Sequence, residues 1–354
     1  MSAAIFRDPV TDGAADPVVV DAPGGEWWML YTQRRPGAPD AGVGWVHGSA
    51  IGSAVSHDGG ASWHYAGVLE GLEVAGLGPG VHTFWAPAIV RDAGRYHLFV
   101  TVIEGVPTQW HGHARTIERF TSVDLRAWSH EGRVELPSER VIDAAVARCP
   151  DGRWRLWCKD EAAGSTTAVA VSDDLAEWHY EGVAIGGRPH EGPVAFALGG
   201  WWWMLTDEWR GLRVHRSTDA RSWSTLGLVL DAPGAHPDDR QVARHADVVV
   251  LGDEAWIIYF THPAWDGSEI AGVGERDVEA QRSAVHVARA VVVDGELRVD
   301  RDVPPRVPLG ASTRCGKANS HSGLTSDTVS PTVWDNAFPS ATIRGLQRRL
   351  PGGQ

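Results

Sequence analysis

Polar and apolar positions in this chain follow a pattern that recurs five times: a short apolar run, a tight polar turn, and a second run rich in Trp or Tyr. The copies are residues 16–20 (DPVVV) with 26–31 (EWWMLY), 85–90 (WAPAIV) with 95–100 (RYHLFV), and 143–147 (DAAVA) with 154–157 (WRLW). Residues 191–196 (EGPVAF) with 201–205 (WWWML), and 245–250 (HADVVV) with 255–260 (AWIIYF), complete the series. Short runs of β-branched and aromatic residues around Gly- or Asp-containing turns predict hairpins. Each hairpin is followed by a third run, a polar turn or its substitute, and a last short run such as residues 65–69 (YAGVL). Four antiparallel strands in units of roughly 45–70 residues are propeller blades. The fold class predicted is therefore all-β, a five-bladed β-propeller. No stretch before residue 310 sustains a helical period.

A second motif recurs between the third and fourth runs. Residues 56–63 read SHDGGASW, and shorter echoes follow at 122–128 (SVDLRAW), 172–178 (SDDLAEW) and 217–223 (STDARSW). Asp bonds its own following backbone and Gly supplies positive φ, so these read as turns anchored by a Trp. Fourfold recurrence points to architecture rather than to a site. The first copy resembles the Asp-box, S-x-D-x-G-x-[ST]-W, of sialidases and other propellers, where it marks a turn between outer strands.

The loop at 263–282 interrupts the fifth unit and is expected to lie over one face. The strand resumes at 284–288 (AVHVA), and 295–299 (GELRV) closes the blade. The domain expected is thus 1–309. Residues 310–354, Ser/Thr/Asn-rich with no strand pattern, are expected to form an irregular or disordered tail.

Composition narrows the function. The chain of 354 residues carries a formal net charge of −13, which excludes nucleic acid as an expected partner. It has no 18-residue apolar run, so no membrane span is expected. Its first residues, MSAAIFRD, lack a basic region followed by an apolar stretch, so a cytoplasmic location is expected. Three cysteines without metal spacing read as free thiols. Eighteen tryptophans are a strong excess; indole is a core side chain and also the best platform for stacking on sugar faces.

In a propeller the first strand of each blade lines the central channel, so residues near the starts of those strands converge at one mouth. Here they are Asp16, Trp85 with Pro87, Asp143, Glu191 and His245. Three acids crowded together repel one another, and that cost is met more often in functional clefts than in architecture. On these residues the chain resembles the five-bladed glycosidases, above all glycoside hydrolase family 43. The matching elements are Ala15-Asp16-Pro17, Trp85-Ala86-Pro87, Ile142-Asp143, Glu191-Gly192-Pro193 and Arg244-His245, in order over residues 6 to about 300. Ala88, Ala144-Ala145 and Arg244 depart from the family's usual pattern, and bear on the sugar rather than the fold.

Glycoside hydrolysis needs two carboxyl groups of different protonation. The longer arm of Glu191 makes it the candidate acid, its pKa expected to be raised by a neighbouring carboxylate. Asp16 is then the candidate base and Asp143 the group that holds the proton on Glu191. The resemblance implies the same roles and inversion at the anomeric carbon. Expected substrate contacts are Trp85, Trp45, His47, Trp110, His111, Arg115, Arg244 and His245; Trp209 is a further candidate for stacking on a sugar ring, and His113 for lining the mouth. No cofactor is required, and calcium near His245, through water, is the one candidate ion. The expected activity is exo-acting removal of terminal sugars, arabinofuranosidase- or xylosidase-like, from plant-type oligosaccharides. A glycoside phosphorylase, a sialidase-like hydrolase and a non-catalytic carbohydrate-binding propeller are the alternatives.

Overall fold

The structure, a computed structural model, describes residues 4–265 and 277–309. The expected tail at 310–354 and most of the 263–282 loop lie outside these residues.

The first blade comprises β1 (Ala14–Asp21), β2 (Trp27–Gln33), β3 (Ala50–Ser56) and β4 (His64–Val68). The second comprises β5 (Thr83–Asp92), β6 (Arg95–Ile103), β7 (Thr116–Ser122) and β8 (Ser129–Arg133). The third comprises β9 (Val141–Arg148), β10 (Trp154–Asp160), β11 (Thr166–Ser172) and β12 (His179–Ile185). In the fourth are β13 (Glu191–Leu198), β14 (Trp201–Asp207), β15 (Leu212–Ser217) and β16 (Ser224–Val229); in the fifth, β17 (Arg244–Leu251), β18 (Glu254–Thr261), β19 (Ala284–Val293) and β20 (Glu296–Asp300). Each set is one antiparallel sheet in sequence order, and β1, β5, β9, β13 and β17 touch in a closed ring. This is the five-bladed propeller that the repeat pattern predicts. The one α-helix among the described residues is the single turn α1 (Val278–Gln281).

Burial follows strand position. β2 and β3 are buried on nearly every residue because blades cover both of their faces, while β4 and β8 alternate exposed and half-buried as outer edges do. Five apolar cores lie between successive blades. Leu30 and Leu98 mark the core between the first and second, Phe99 and Leu156 the next, Trp157 and Met204 the third, Trp203 and Ile257 the fourth, and Met29 and Ile258 the closing one. Trp157 and Trp203 are fully closed to solvent, and truncating either to Ala costs about 3–5 kcal/mol.

The ring is fastened at the junction of the fifth and first blades by both ends of the described chain. At the N-terminal end, Ile5 N–H donates to Val285 O (2.8 Å) and Ser283 N–H to Asp12 O (3.0 Å). Buried Asp8 accepts from Tyr31 Oη (2.5 Å) and Gln33 Nε2 (2.7 Å). At the other end, Leu309 N–H donates to Gly59 O (2.9 Å) and Val307 N–H to Gly60 O (3.2 Å). This contact explains why the first turn motif carries an extra glycine. Gly60 has φ +86°, and a Cβ there would lie 2.2 Å from Val307 O.

All four turn motifs sit between the third and fourth strands of their blades, on the rim and away from the channel strands. In each, the Ser hydroxyl and the Asp carboxylate accept backbone N–H groups of the turn. Asp124 Oδ1 does so from Arg126 and Ala127 at 2.9 and 3.0 Å, and Asp174 and Asp219 repeat the arrangement.

Candidate active site at the channel mouth

Five irregularities in the innermost strands build the site. Pairing with the second strand skips between Ala15 and Val18, Trp85 and Ala88, Ile142 and Ala145, Glu191 and Val194, and Arg244 and Ala246. The first residue left unpaired in each is Asp16, Ala86, Asp143, Gly192 or His245. The first four have left-handed backbones, with φ of 49°, 44°, 60° and 55°. Such bulges turn a side chain out of the alternation and towards the axis. Proline follows at 17, 87 and 193, where the skipped register requires no N–H. Gly192 is required twice over, since a Cβ there would lie 2.7 Å from His245 Cγ. Three of the expected residues, Asp16, Asp143 and His245, therefore occupy equivalent bulge positions. Glu191 stands one place earlier and is level with Ala15, Trp85, Ile142 and Arg244.

The bulges bring the predicted acids together. His245 Nδ1 lies 3.6 Å from Asp16 Oδ1 and 4.0 Å from Asp143 Oδ1. Asp143 Oδ2 accepts Gly192 N–H at 3.1 Å, and Arg34 holds Asp16 at 3.4 Å. The second-strand residue level with the start of a bulge reaches across to the next blade. Thr32 accepts Ala86 N–H (2.8 Å), Thr101 accepts Asp143 N–H (3.0 Å), and Asp207 accepts His245 N–H (3.2 Å). In the third blade that position is Lys159, whose Nζ donates to Glu191 Oε2 at 2.9 Å.

The protonation pattern differs from the sequence expectation. Burial pushes the Asp143 carboxyl up to about 7, with Glu191 and Asp16 adding to the rise and His245 and Lys159 opposing it. Asp207 is pushed up to about 6, first by burial and then by Glu191, against Arg244. Glu191 was expected to be raised, and it is instead held below the ordinary glutamate range. Burial presses its pKa upward, but the Lys159 ammonium, the Trp209 indole N–H and Arg244 together outweigh that. The expected effect of a neighbouring carboxylate falls on Asp143, because a lysine stands beside Glu191.

The expected substrate contacts divide. Trp45, His47, Trp85 and Arg115 are buried and build a wall, although His47 Nε2 and Arg115 Nε make no hydrogen bond. Trp85 Nε1 donates to Val46 O (2.7 Å), His47 Nδ1 pairs with Val43 O (3.1 Å), and Arg115 binds Glu161 and Trp110 O while lying over the Trp110 ring. Trp85 and Trp110 stack with centroids 5.7 Å apart. Placed this way, Trp45, His47 and Arg115 brace the mouth rather than present free faces to it, which differs from their expected role. Trp110 and His113 are half-buried and His111 exposed. Arg244 is buried, lies over Trp265 at 4.7 Å, and faces Asp207 at 3.9 Å; its Nη1 makes no hydrogen bond. Trp209, 39% exposed, donates its indole N–H to Glu191 Oε1 at 2.8 Å.

Sequence reasoning missed Arg34, Lys159 and Asp207. For Lys159 a signal existed: only two of the 32 basic residues are lysines, and one of these stands near the end of a strand buried along its whole length, WRLWCKD. Among the described residues no group of three or more His, Cys, Asp or Glu side chains is placed to hold a metal ion, and calcium needs several oxygen ligands. Clefts of about 560 and 480 Å³ elsewhere, on the flanks beside Trp63 and beside Val278, contain none of the central acids.

No protein-family profile matches the sequence, and no curated protein sequence matches it. Solved structures do match in fold. A thermostable family-43 glycoside hydrolase is 16% identical with a TM-score of 0.61, covering 85% of this chain and 99% of its own. A family-43 β-xylosidase/α-arabinofuranosidase from a compost microbial metagenome, in complex with xylotriose and in a calcium-free form, is 13% identical with a TM-score of 0.61, over 86% and 98% of the two chains. A putative exo-β-1,3-galactanase from Bifidobacterium bifidum is 15% identical with a TM-score of 0.57, over 81% and 91%. Likeness at such identity is likeness of fold; the chemistry has to be argued from the site.

Proposed function

We propose that this protein is a glycoside hydrolase that removes terminal sugars from plant-type oligosaccharides with inversion at the anomeric carbon. The observation that carries this reading is the gathering of Asp16 and Asp143 against His245 with Glu191 beside Asp143 at one end of the channel, where Asp143 is pushed towards its protonated form and Glu191 away from it. A non-catalytic sugar-binding propeller has no reason to hold two acids, Asp16 and Asp143, at left-handed bulge positions beside a third, since each such position costs about 1–3 kcal/mol in strain. A phosphorylase needs cations offered to phosphate and no base. Here Arg34, Lys159 and Arg244 each face a carboxylate within 4 Å, and Asp16 stands at the centre.

In this reading Asp16, oriented by Arg34 and His245, takes a proton from the attacking water. Glu191 gives a proton to the leaving oxygen. Asp143, which titrates near neutrality, supplies the third carboxyl beside both and fixes Gly192 through its backbone N–H. The structural neighbours include enzymes named for xylose, arabinofuranose and galactan, and we place the substrate among these terminal sugars. The test is a panel of nitrophenyl glycosides and plant oligosaccharides, with proton NMR of the first-formed sugar from any that is cleaved. Inverted product is expected. Product of retained configuration would overturn the division of roles between Asp16 and Glu191, and hydrolysis of no glycoside would overturn the reading as a whole.

A further inference from the structure

Both oxygens of Glu191 already accept a hydrogen bond. Lys159 Nζ donates to Oε2, and the indole N–H of Trp209 donates to Oε1 at 2.8 Å. The two donors differ in freedom. Lys159, with 4% side-chain exposure, is enclosed and braced at 3.4 Å by Glu161, which Arg115 holds in turn. Trp209 is 39% exposed at the tip of the turn between β14 and β15, with Lys159 Nζ 5.2 Å from its ring centre. The turn itself is tied down. Trp209 has φ +59°, unusual for a bulky residue; its N–H donates to Asp207 Oδ1 at 2.6 Å, and a Cβ on Gly211 would lie 2.5 Å from Asp231. An exposed indole is thus held at a fixed place beside the candidate acid.

A general acid needs its O–H free to point at the leaving oxygen, and an N–H donor on the same oxygen competes with it. Oε2 faces an enclosed ammonium, so Oε1 is the oxygen that must carry the proton. We propose that Trp209 is the stacking platform for the sugar unit on the leaving-group side, and that a sugar seated there draws the indole N–H off Glu191 Oε1 and so lets Glu191 take up its proton. The inference rests on the glycosidase reading above. The proton enters Oε1 from solvent water and passes to the glycosidic oxygen as the old C–O bond breaks. Asp16 takes a proton from water as the new C–O bond forms and returns it to solvent. The charged and titratable groups around Glu191 are Lys159 of β10, Asp143 of β9, Asp207 of β14, Arg244 of β17, and His190 just before β13. None of them is altered in the variants below.

Trp209→Phe keeps a ring and removes the N–H. A ¹³C NMR titration of the Glu191 carboxyl, assigned by its loss in Glu191→Gln, should move upward by about one pH unit in this variant. The high-pH limb of kcat/KM for methyl xyloside should move with it, because losing a donor to the carboxylate favours the protonated acid. Trp209→Ala should raise KM for xylotriose by up to about tenfold and that for methyl xyloside by much less. An unmoved Glu191 titration in Trp209→Phe, or equal losses on the two substrates in Trp209→Ala, would overturn the proposal. If the titration moves but no glycoside is hydrolysed, control of Glu191 by Trp209 stands and the glycosidase reading falls.

Discussion

The outer turns and the inner bulges of this propeller both place aspartates at breaks in strand regularity, and they treat the carboxylate in opposite ways. In the turns Asp124, Asp174 and Asp219 accept two backbone N–H groups apiece, and their pKa values fall because those bonds favour the charged form. Asp58 is held down to about 2, chiefly by the Ser62 hydroxyl. The left-handed residue in each echo follows the Asp: Leu125, Leu175 or Ala220, at φ of 66°, 66° and 57°. At the mouth the left-handed residue is the Asp itself, at 16 and 143, so the side chain is turned out of its sheet. Asp143 then meets other carboxylates in a buried place and its pKa rises to about 7. A carboxylate whose acceptor capacity is used by its own turn is architecture. One that is buried and turned towards other acids can do chemistry.

The contrast is broken most sharply by making the same change on both sides of it. Asp16→Asn is expected to lower kcat by about 10²–10⁴-fold on activated and unactivated glycosides alike, because each needs activated water. Asp124→Asn should leave kcat unchanged; comparable losses in the two variants would show that the rim and the mouth are not distinct. Next in size is the pH dependence of stability. The raised pKa of Asp143 means that burying its neutral form contributes stability that is fully present below the unfolded value near 3.8 and is lost as pH rises through about 7. Between about pH 5 and pH 8 this amounts to roughly 2–3 kcal/mol. Urea unfolding at the two pH values should show that loss in the wild type and much less of it in Asp143→Asn. An equal slope in both would place the titrating proton on another residue. The smallest effect belongs to Asp58→Ala, which should lower the unfolding midpoint slightly and leave turnover of the folded fraction intact. A large loss of turnover at full foldedness would turn the Asp-box from a rim turn into part of the site.

Much of the molecule was legible in one dimension. The period of the Trp-rich hairpins specifies five four-stranded blades, because alternation and turn chemistry act over a few residues and need no distant partner. The recurrence of S-x-D-x-x-x-W placed those turns on the rim for the same reason. The convergence of Asp16, Asp143, Glu191 and His245 on one end of the channel was also legible, since repeat register maps a position in one blade onto the next. The one-residue offset of Glu191 escaped, because Glu191-Gly192-Pro193 shows its bulge only when paired with Asp207 and Leu205. Gly60 could be read as a turn residue, but not as the seat of Val307, nearly 250 residues away along the chain. The charge states were the least legible. Whether Glu191 or Asp143 is drawn towards its proton depends on Lys159 reaching across from the third blade and Trp209 from the β14–β15 turn. Local pattern therefore suffices for strands, turns and the list of acids. The assignment of a proton among those acids needs distances between blades, because Coulomb and hydrogen-bond terms act through space and leave no period in the sequence.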